Sequence, residues 1–529
     1  MMRGLCIVIF LVSNTLLTSL IAQTKDYLQV ALKDAASQEP ISFATVRIKD
    51  SRQGLIADAE GEFRLPLGFQ SMETVLIITS IGYNSIEIEV SALLREQINS
   101  FYLQPTTESL NEVVIVRDEA KRRKAEAASN LVKSSRALTA NEIVYRAIKN
   151  IPVNLSSQQS SVLGYYRDYQ IFNEQYYNLN EGIIEMYDEG ILNITEAFNS
   201  FKSSIYSYKS NSQFKRDSAF IVPYDREVKF IQNASIRANG GNELTILNVH
   251  NPIRNYAVFT FSFVYAFKSH FINNHNLRRD GITYLDDEPL VRIKFQAYPQ
   301  VQGLNHKVFG YLLISLKDFS IHRFNYEMFD TDRNNALFNL AIEYRRQDSQ
   351  MYLNYITFNN RFVMTDPNIL KEEEIGFYPD EYKFRIDFTK PIDLIALKRS
   401  NFNMKYGNVK LYVEEIKPRT NTSIELWVRP FFRDDVERRS FDVENLIVEL
   451  KRIRDLDGQE IYEPKLLTGY QFREFFAQEV FPGKPLPDNQ YFMINDLPIN
   501  LSKQNESDNI QKYWLNSPLR TSVTVKRTN

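Results

Sequence analysis

Cysteine, tryptophan and histidine are scarce in this chain of 529 residues, which contains 1 Cys, 2 Trp and 5 His. The single cysteine, Cys6, has no partner within the chain, so the sequence excludes intramolecular disulfides and Cys-ligated zinc. No strong charge of one sign is present either, because 63 basic residues face 65 acidic ones. Without a basic field to neutralise phosphates, nucleic acid is not expected as a partner.

Long apolar runs are missing beyond residue 22, so no transmembrane helix is expected after that point. Residues 1–22 have the pattern of a signal peptide, with Arg3 as the charged start and apolar runs that follow it. We expect cleavage after Ala22, with an uncleaved membrane anchor as the alternative. Because Cys6 would be lost with the peptide, the mature chain would lack cysteine, which suits a bacterial envelope. The sequence therefore predicts an exported protein of the periplasm or associated with the outer membrane.

Aromatic residues are abundant by contrast, at 13% with 30 Tyr and 36 Phe, and such residues favour half-buried β-strands. Between residues 26 and 104, apolar and polar residues alternate in short runs, as around Leu28, Val30 and Leu32. Turn-forming residues separate these runs. About seven short strands over this stretch predict a seven-stranded β-sandwich.

Three strings of this region carry a family resemblance: EPISFATV at 39–46, DAEGEFRL at 58–65 and IGY at 81–83. They resemble the carboxypeptidase-regulatory-like domain, an Ig/transthyretin-like sandwich at the front of many Gram-negative envelope proteins and of some TonB-dependent receptors. The string LNEVVI at 110–115 is similar to the segment that often follows this domain. The resemblance implies a fold for residues 23–106 and brings no activity with it.

One turn of this domain can be predicted in detail. Gly61 is expected in a hairpin turn that requires a positive φ, and Asp58 is expected to cap that turn. Phe63 then fills the core from the next strand.

Residues 107–137 form a charged segment in which basic residues such as Arg117 and Lys121 mix with acids and alanines. An exposed helix or hinge between domains is predicted, with binding to anionic lipid or phosphate as the alternative. Thr139 and Glu142 then have the spacing of a capping box, which predicts a helix that ends near Pro152.

Residues 138–365 return to strands after that helix and are rich in aromatic and β-branched residues. The expected strands lie at residues 164–169, 176–187, 290–297, 310–316, 321–329 and 351–358. They predict an antiparallel meander, either a half-barrel or a stacked sheet. Residues 138–152, 164–167 and 310–314 also resemble large envelope proteins that pair this sandwich with a β-rich body of no known activity.

Residues 366–529 are expected to form a C-terminal β-rich region, either separate from the body or continuous with it. Its first part, 366–382, is rich in charge and proline and predicts a loop. Strands are expected near 383–388, 406–415 and 422–429. We further expect a short helix at 472–480 and a flexible loop at 500–510.

Catalytic and metal-binding motifs are missing. The histidines are His250, His270, His275, His306 and His322, and none begins the His-x-x-Glu pattern of zinc carboxypeptidases. A metal cluster built from them is therefore a disfavoured alternative to histidines of the core or surface. No nucleophile elbow, phosphate-binding Gly-rich loop or dinucleotide fingerprint occurs. We predict no catalytic, cofactor-binding or metal-binding residue.

Acidic loops, aromatic strands and carboxylate pairs give three further hypotheses. Calcium binding is a disfavoured alternative to turns at the acids Asp58, Glu60 and Glu62, at 330–334 and at 455–460, because the full ligand register is absent. A groove for glycan or lipid is an alternative to core packing at Tyr165, Tyr166, Tyr169, Tyr176 and Tyr177. Carboxylate pairs for glycoside hydrolysis depend on separation in space, which a sequence does not give.

The sequence thus predicts a mainly β protein, with a seven-stranded sandwich followed by a larger antiparallel β-rich body and a few helices. A non-enzymatic binding or assembly module of the envelope fits best, with an envelope protein or glycan as partner. A hydrolase of glycan or peptide with an unrecognised site is the alternative, and an outer-membrane β-barrel is a third, less favoured one.

Overall fold

A computed structural model gives the fold of residues 26–71, 73–106, 119–192, 202–221, 229–230, 242–256, 269–302, 305–331, 335–366, 368–507 and 509–522. The expected signal peptide, the string at 110–115 and part of the acidic loop at 330–334 lie outside the described residues. None of the described helices combines the length and apolar character needed to span a membrane.

The chain divides into two units. The first comprises residues 1–221, 231–361 and 469–529, and the second comprises 222–230 and 362–468. The sandwich and most of the body therefore belong to one unit, to which the chain returns at residue 469. Of the expected C-terminal region at 366–529, residues 366–468 belong to the second unit and residues 469–529 to the first.

Seven strands form the N-terminal sandwich within the described part of residues 26–106, as the sequence predicts. They are β1 (Tyr27–Asp34), β2 (Thr45–Ile48), β3 (Gly54–Ile56), β4 (Glu62–Pro66), β5 (Val75–Thr79), β6 (Ile86–Glu89) and β7 (Ile98–Leu103). One sheet has the order β4-β1-β7 and the other the order β3-β2-β5-β6. Val30, Val46, Phe63 and Ile78 are among the residues of the core between them.

The turn before β4 has the conformation that its residues predict. Gly61 has a φ of +70°. The Oδ1 atom of Asp58 accepts hydrogen bonds from the backbone N–H groups of Glu60 at 3.1 Å and Glu62 at 2.8 Å. The Asp58 carboxyl group therefore caps a turn.

A large antiparallel sheet forms the body. Its strands are β8 (Ser160–Phe172), β9 (Gln175–Asp188), β10 (Lys202–Ser210), the short β11 (Lys229–Phe230), β12 (His275–Leu285), β13 (Glu288–Ala297), β14 (His306–Ser315), β15 (Ile321–Asp330), β16 (Asn335–Gln347), β17 (Gln350–Thr365) and β25 (Leu466–Pro482). The strand order is β10-β9-β8-β25-β17-β16-β15-β14-β13-β12, and β11 pairs with β17. The strands expected between residues 164 and 358 are confirmed.

Helices cover one face of this sheet. They are α1 (Glu119–Ser135), α2 (Ala140–Lys149), α3 (Ile151–Asn154), α4 (Glu243–Val249), α5 (Ser269–Asn274) and α6 (Pro299–Gln302). The start of α2 has the expected capping box, in which Glu142 N–H donates to Thr139 Oγ1 at 3.2 Å and Thr139 N–H donates to Glu142 Oε2 at 2.7 Å. Ile143, Ile148 and Leu244 pack from the helices into the main core.

Alternate residues of the strands point to opposite faces of the sheet. On β8, Tyr166 joins the core beneath the helices, whereas Tyr165 joins a cluster with Ile56 of the sandwich. On β25, Phe475 and Phe476 divide in the same way. The central strands are therefore buried on both faces, by helices on one and by the sandwich on the other.

The second unit contains two small sheets. Its further strands are β18 (Glu372–Tyr378), β19 (Lys383–Phe388), β20 (Phe402–Tyr406), β21 (Val409–Leu411), β22 (Val413–Thr420), β23 (Ser423–Val428) and β24 (Leu446–Leu450), and its helix is α7 (Asp435–Arg439). The sheet orders are β18-β19-β23-β22 and β21-β20-β24. The loop at 455–460 is a turn, because Asp455 Oδ1 accepts from the N–H groups of Asp457 at 3.0 Å and Gln459 at 2.8 Å.

Two local predictions are wrong. Residues 472–480 form part of β25 rather than a helix, because a strand buried on both faces lacks the polar alternation that identifies half-buried strands. The expected loop at 366–382 contains β18, whose pairing with β19 outweighs the poor strand preference of its glutamates.

Candidate binding cleft between the sandwich and the sheet

The sandwich packs directly on the sheet through one of its quoted strings. Phe43, from the string at 39–46, stacks on Tyr355 of β17 with ring centroids 4.8 Å apart. Asn354 Nδ2 donates to Thr45 Oγ1 at 3.0 Å. Ile81, from the string IGY, packs in a separate cluster with residues of β13 and β14. The sandwich is therefore one wall of the body and not only a module tethered in front of it.

A clasp segment, residues 513–520, ties the sandwich to the sheet from the far end of the chain. Trp514 packs against Phe69 with centroids 5.1 Å apart, and its Nε1 donates to the Arg64 carbonyl at 3.1 Å. Asn516 Oδ1 accepts from the Arg64 N–H at 2.8 Å. On the other side, Ser517 Oγ donates to Glu181 Oε2 of β9 at 2.7 Å. These bonds fix β4 relative to the sheet.

A buried ionic cluster lies on the sandwich-covered face. Arg167 Nε donates to Glu474 Oε2 at 2.5 Å, and the two residues are 1% and 2% exposed. Burial raises the pKa of Asp58 to about 8, assisted by the charge of Glu60 and opposed by that of Arg167. Burial also raises the pKa of Glu60. The raised pKa values favour the protonated forms of Asp58 and Glu60, which lie on the sandwich side of the Arg167–Glu474 pair.

A cleft between the sandwich and the sheet contains two cavities, and the first has a volume of about 300 Å³. Its walls come from β2 and β3 of the sandwich, from the turn between β16 and β17, and from β25. Four arginines line it, Arg47, Arg52, Arg345 and Arg346, against two acids, Asp348 and Glu479, and Arg346 pairs with Asp318 at 2.5 Å. The lining is therefore cationic on balance.

Two buried N–H donors of this lining, Arg345 Nη1 and Gln347 Nε2, have no hydrogen-bond acceptor in the described part of the chain. They come from alternate residues at the end of β16, whereas the guanidinium of Arg346 between them donates to Asp318 Oδ2 at 2.5 Å and to Ser320 Oγ at 2.9 Å. Burial, and then the positive charge of Arg47, lower the pKa of Arg345 to about 10. Buried donors are normally satisfied, so these two donors mark the cavity as a site that lacks its acceptor.

The second cavity, with a volume of about 500 Å³, adjoins the first, and Ser51 and Glu479 line both. It contains Glu185, which accepts hydrogen bonds from Ser161 Oγ at 2.5 Å, Tyr206 OH at 2.7 Å and Lys484 Nζ at 2.5 Å. Burial opposes ionisation of Glu185, but these three donors outweigh it, and its pKa is lowered. An ionised carboxylate with its donors in place lacks the raised pKa that a general acid needs.

Comparison with known families identifies the first folded part of the chain. Residues 31–115 match the family model of the CarboxypepD_reg-like domain. The match confirms the resemblance carried by the three strings, and it covers the domain that forms the wall of the cleft. No curated protein matches the chain.

Solved structures of low similarity include a LolA superfamily protein from Nitrosomonas europaea, at 10% identity and a TM-score of 0.17, covering 42% of this chain and 86% of that one. A DUF1329 family protein from Desulfovibrio piger has 6% identity and a TM-score of 0.18, covering 42% and 87%. The Pseudomonas aeruginosa MucA/MucB complex has 9% identity and a TM-score of 0.15, covering 59% and 99%. TM-scores this low carry no argument about the fold or function of this chain.

The histidines do not come together. His250 Nδ1 is 2.6 Å from the Ile246 carbonyl oxygen, and His275 Nδ1 is 2.7 Å from that of Phe271. Burial lowers the pKa of His250 to about 3 and of His275 to about 4, so both are neutral residues of the core. His322 is also buried, whereas His270 is exposed and His306 half-buried. Among the described residues, no group of three or more His, Cys, Asp or Glu could hold a metal ion.

The tyrosines pack rather than line a groove. Tyr165, Tyr166, Tyr169 and Tyr176 are buried, so the groove hypothesis is wrong for these four. Tyr177 is half-buried, with its ring 5.6 Å from that of Phe220. Tyr165 satisfies its buried hydroxyl by donating to Glu181 at 2.9 Å.

Sequence reasoning missed the residues that line the CarboxypepD_reg-like domain's cleft. The run Arg345-Arg346-Gln347-Asp348 resembles an ordinary polar hairpin turn. Lys484 resembles an ordinary surface lysine. The cleft joins segments near residues 50, 350 and 480 of the chain, so no local pattern could have brought them together.

Proposed function

We propose that this chain is an exported, non-enzymatic binding module of the cell envelope and that its ligand occupies the cleft between the CarboxypepD_reg-like domain and the sheet. The observation that carries the proposal is the pair of buried donors without acceptors in the first cavity, Arg345 Nη1 and Gln347 Nε2. Buried donors without acceptors cost stability, so a ligand that supplied acceptors there would be bound favourably.

The walls of the cleft favour binding because they are held in place before a ligand arrives. Asn354 links β17 to Thr45 of the domain, and Gln478 Nε2 donates to the Trp514 carbonyl of the clasp segment at 2.7 Å. A preorganised site loses little conformational entropy on binding. In the second cavity, the lowered pKa of Glu185 argues against this carboxyl group as a general acid.

Native mass spectrometry tests the proposal. The full chain is incubated with the small-molecule fraction of a Gram-negative envelope extract, and a retained ligand mass is expected. Ser51→Trp should abolish retention because Ser51 lines both cavities. Ser37→Trp is a matched control, since both serine Oγ atoms accept the N–H group two residues on, at 3.1 Å from Gln53 and 3.3 Å from Glu39.

Two results would contradict the proposal. Retention that is equal in the Ser51→Trp and Ser37→Trp variants would place the ligand elsewhere. Conversion of an envelope glycan or peptide by the wild-type chain, lost in Ser51→Trp, would favour the hydrolase instead.

A further inference from the structure

Two sets of groups in the first cavity point to the same ligand chemistry. The first set is the two unaccepted donors, one from the guanidinium group of Arg345 and one from the amide group of Gln347. The one described hydrogen bond of the Arg345 side chain is a long one, from Nη2 to Thr79 Oγ1 of the domain at 3.3 Å. A structural arginine in a buried position is normally held by a carboxylate or several carbonyls. Arg345 therefore has donor capacity left for a ligand.

The second set is the positive charge brought in by the domain. Arg47 and Arg52 line the same cavity, and within the described residues neither forms an ion pair. The charge of Arg47 disfavours the charged form of Arg345. Of the two acids in the lining, Glu479 already accepts from Tyr513 OH at 2.6 Å. Like charges gathered in one cavity repel unless an anion lies between them.

We infer that the first cavity binds a phosphoryl group, with Arg345 and Gln347 donating to its oxygens and Arg47 and Arg52 supplying balancing charge. This inference rests on the proposed function and names its ligand class. A phosphoryl group offers three acceptor oxygens and up to two negative charges, so it can accept from Arg345 and Gln347 and balance the guanidinium charges better than a carboxylate, which carries one charge. The cavity of about 300 Å³ accommodates such a group with part of the molecule that carries it.

Calorimetric titration of the full chain with inorganic phosphate tests the inference. Saturable binding is expected, with acetate binding at least tenfold more weakly. Arg345→Gln should weaken phosphate binding at least tenfold, whereas Arg399→Gln should leave it unchanged. Arg399 is an exposed arginine outside the cavity, so this control removes the same charge.

A second variant keeps the test decisive if Arg345→Gln folds poorly. Arg47 is exposed, so Arg47→Gln is expected to fold normally and to weaken phosphate binding several-fold. The inference is overturned if phosphate does not bind saturably, or if both variants bind it as the wild type does. If phosphate fails while an extract ligand is still lost in Ser51→Trp, the inference fails and the proposed binding function stands.

Two further arms distinguish the sources of the phosphoryl group. Co-sedimentation with phosphatidate vesicles, but not with phosphatidylcholine vesicles, and its loss in Arg47→Gln would identify a lipid headgroup. Binding of glucose 6-phosphate without vesicle binding would identify a soluble phosphate ester. Binding of inorganic phosphate without binding of either carrier would identify free phosphate as the ligand, and failure of inorganic phosphate to bind overturns the inference whatever the carriers do.

Discussion

The two faces of the large sheet are made by alternate residues of the same strands, yet they are filled differently. Beneath the helices, the cavity formed around Ala147, Ile151 and Met351 has a volume of about 10 Å³. Beneath the CarboxypepD_reg-like domain, the two cavities have volumes of about 300 and 500 Å³. Arg167, Glu185 and Arg345 lie on the domain side, whereas Arg473, which is fully buried and paired with Glu243 of α4, lies on the helix side. Both faces therefore bury charged groups, and of the cavities described the larger two lie on the domain side.

This difference separates two uses of burial. Apolar side chains stabilise the fold in proportion to the area that they remove from water. Buried charged groups stabilise it less, since each charge must be matched by a partner. The predictions below test whether the helix-covered face supports the fold and the domain-covered face supports the function.

The largest effect is expected on the helix-covered face. Phe324→Ala removes a fully buried ring that lies 5.8 Å from Phe295 and 5.9 Å from Tyr326. It should lower the free energy of unfolding by about 3–5 kcal/mol, measured by urea denaturation. Arg345→Ala is the matched change on the other face and should cost less than about 1 kcal/mol, because it also removes unaccepted donors. Equal losses of unfolding free energy in the two variants would contradict the idea that the two faces contribute differently to stability.

A smaller loss is expected where the domain-covered face does contribute stability. Arg167→Leu leaves Glu474 buried without its cation, which should lower the free energy of unfolding by about 3 kcal/mol. The double variant Arg167→Leu with Glu474→Leu should recover most of this loss, because no uncompensated charge remains. A double variant that is less stable than Arg167→Leu alone would show that the loss does not come from the uncompensated charge of Glu474.

The clasp segment should have a more local effect. Trp514→Ala removes packing on Phe69 and a bond to the Arg64 carbonyl, so a loss of about 2 kcal/mol is expected. Hydrogen exchange at the Arg64 amide should accelerate, because Asn516 would no longer be held against it. Trp427→Ala changes the other tryptophan of the chain and should leave exchange at Arg64 unchanged. Exchange that stays slow in Trp514→Ala would show that the clasp segment does not fix β4.

The sequence predicted the parts of the fold that depend on short segments. The string around Gly61 specifies its own turn, and Thr139 with Glu142 specifies the start of α2, so both could be predicted. β25 could not, because burial on two faces removes the alternation that strands show. The cleft could not be predicted either. Arg47, Arg345 and Glu479 come together only after the strands of the sheet have paired and the domain has packed on the sheet.

The last test of the domain-covered face is the pH dependence of stability. Burial raises the pKa of Asp58 to about 8, whereas its ordinary value is 3.8. The folded chain therefore keeps a proton that the unfolded chain loses above about pH 4, so its contribution to stability is complete below that pH and is lost as pH rises through about 8. The slope from this one group is at most about 1.4 kcal/mol per pH unit.

Asp58→Asn should flatten the dependence of unfolding free energy on pH between about 4 and 8. The variant retains the Oδ1 acceptor used by the N–H groups of Glu60 and Glu62, so the turn itself should persist. Asp50→Asn changes an exposed aspartate of the same domain and should leave the slope as it is in the wild type. An identical slope in Asp58→Asn would mean that the acids facing Arg167 are charged in the folded state, and that the domain-covered face holds more unbalanced charge than its neutral acids imply.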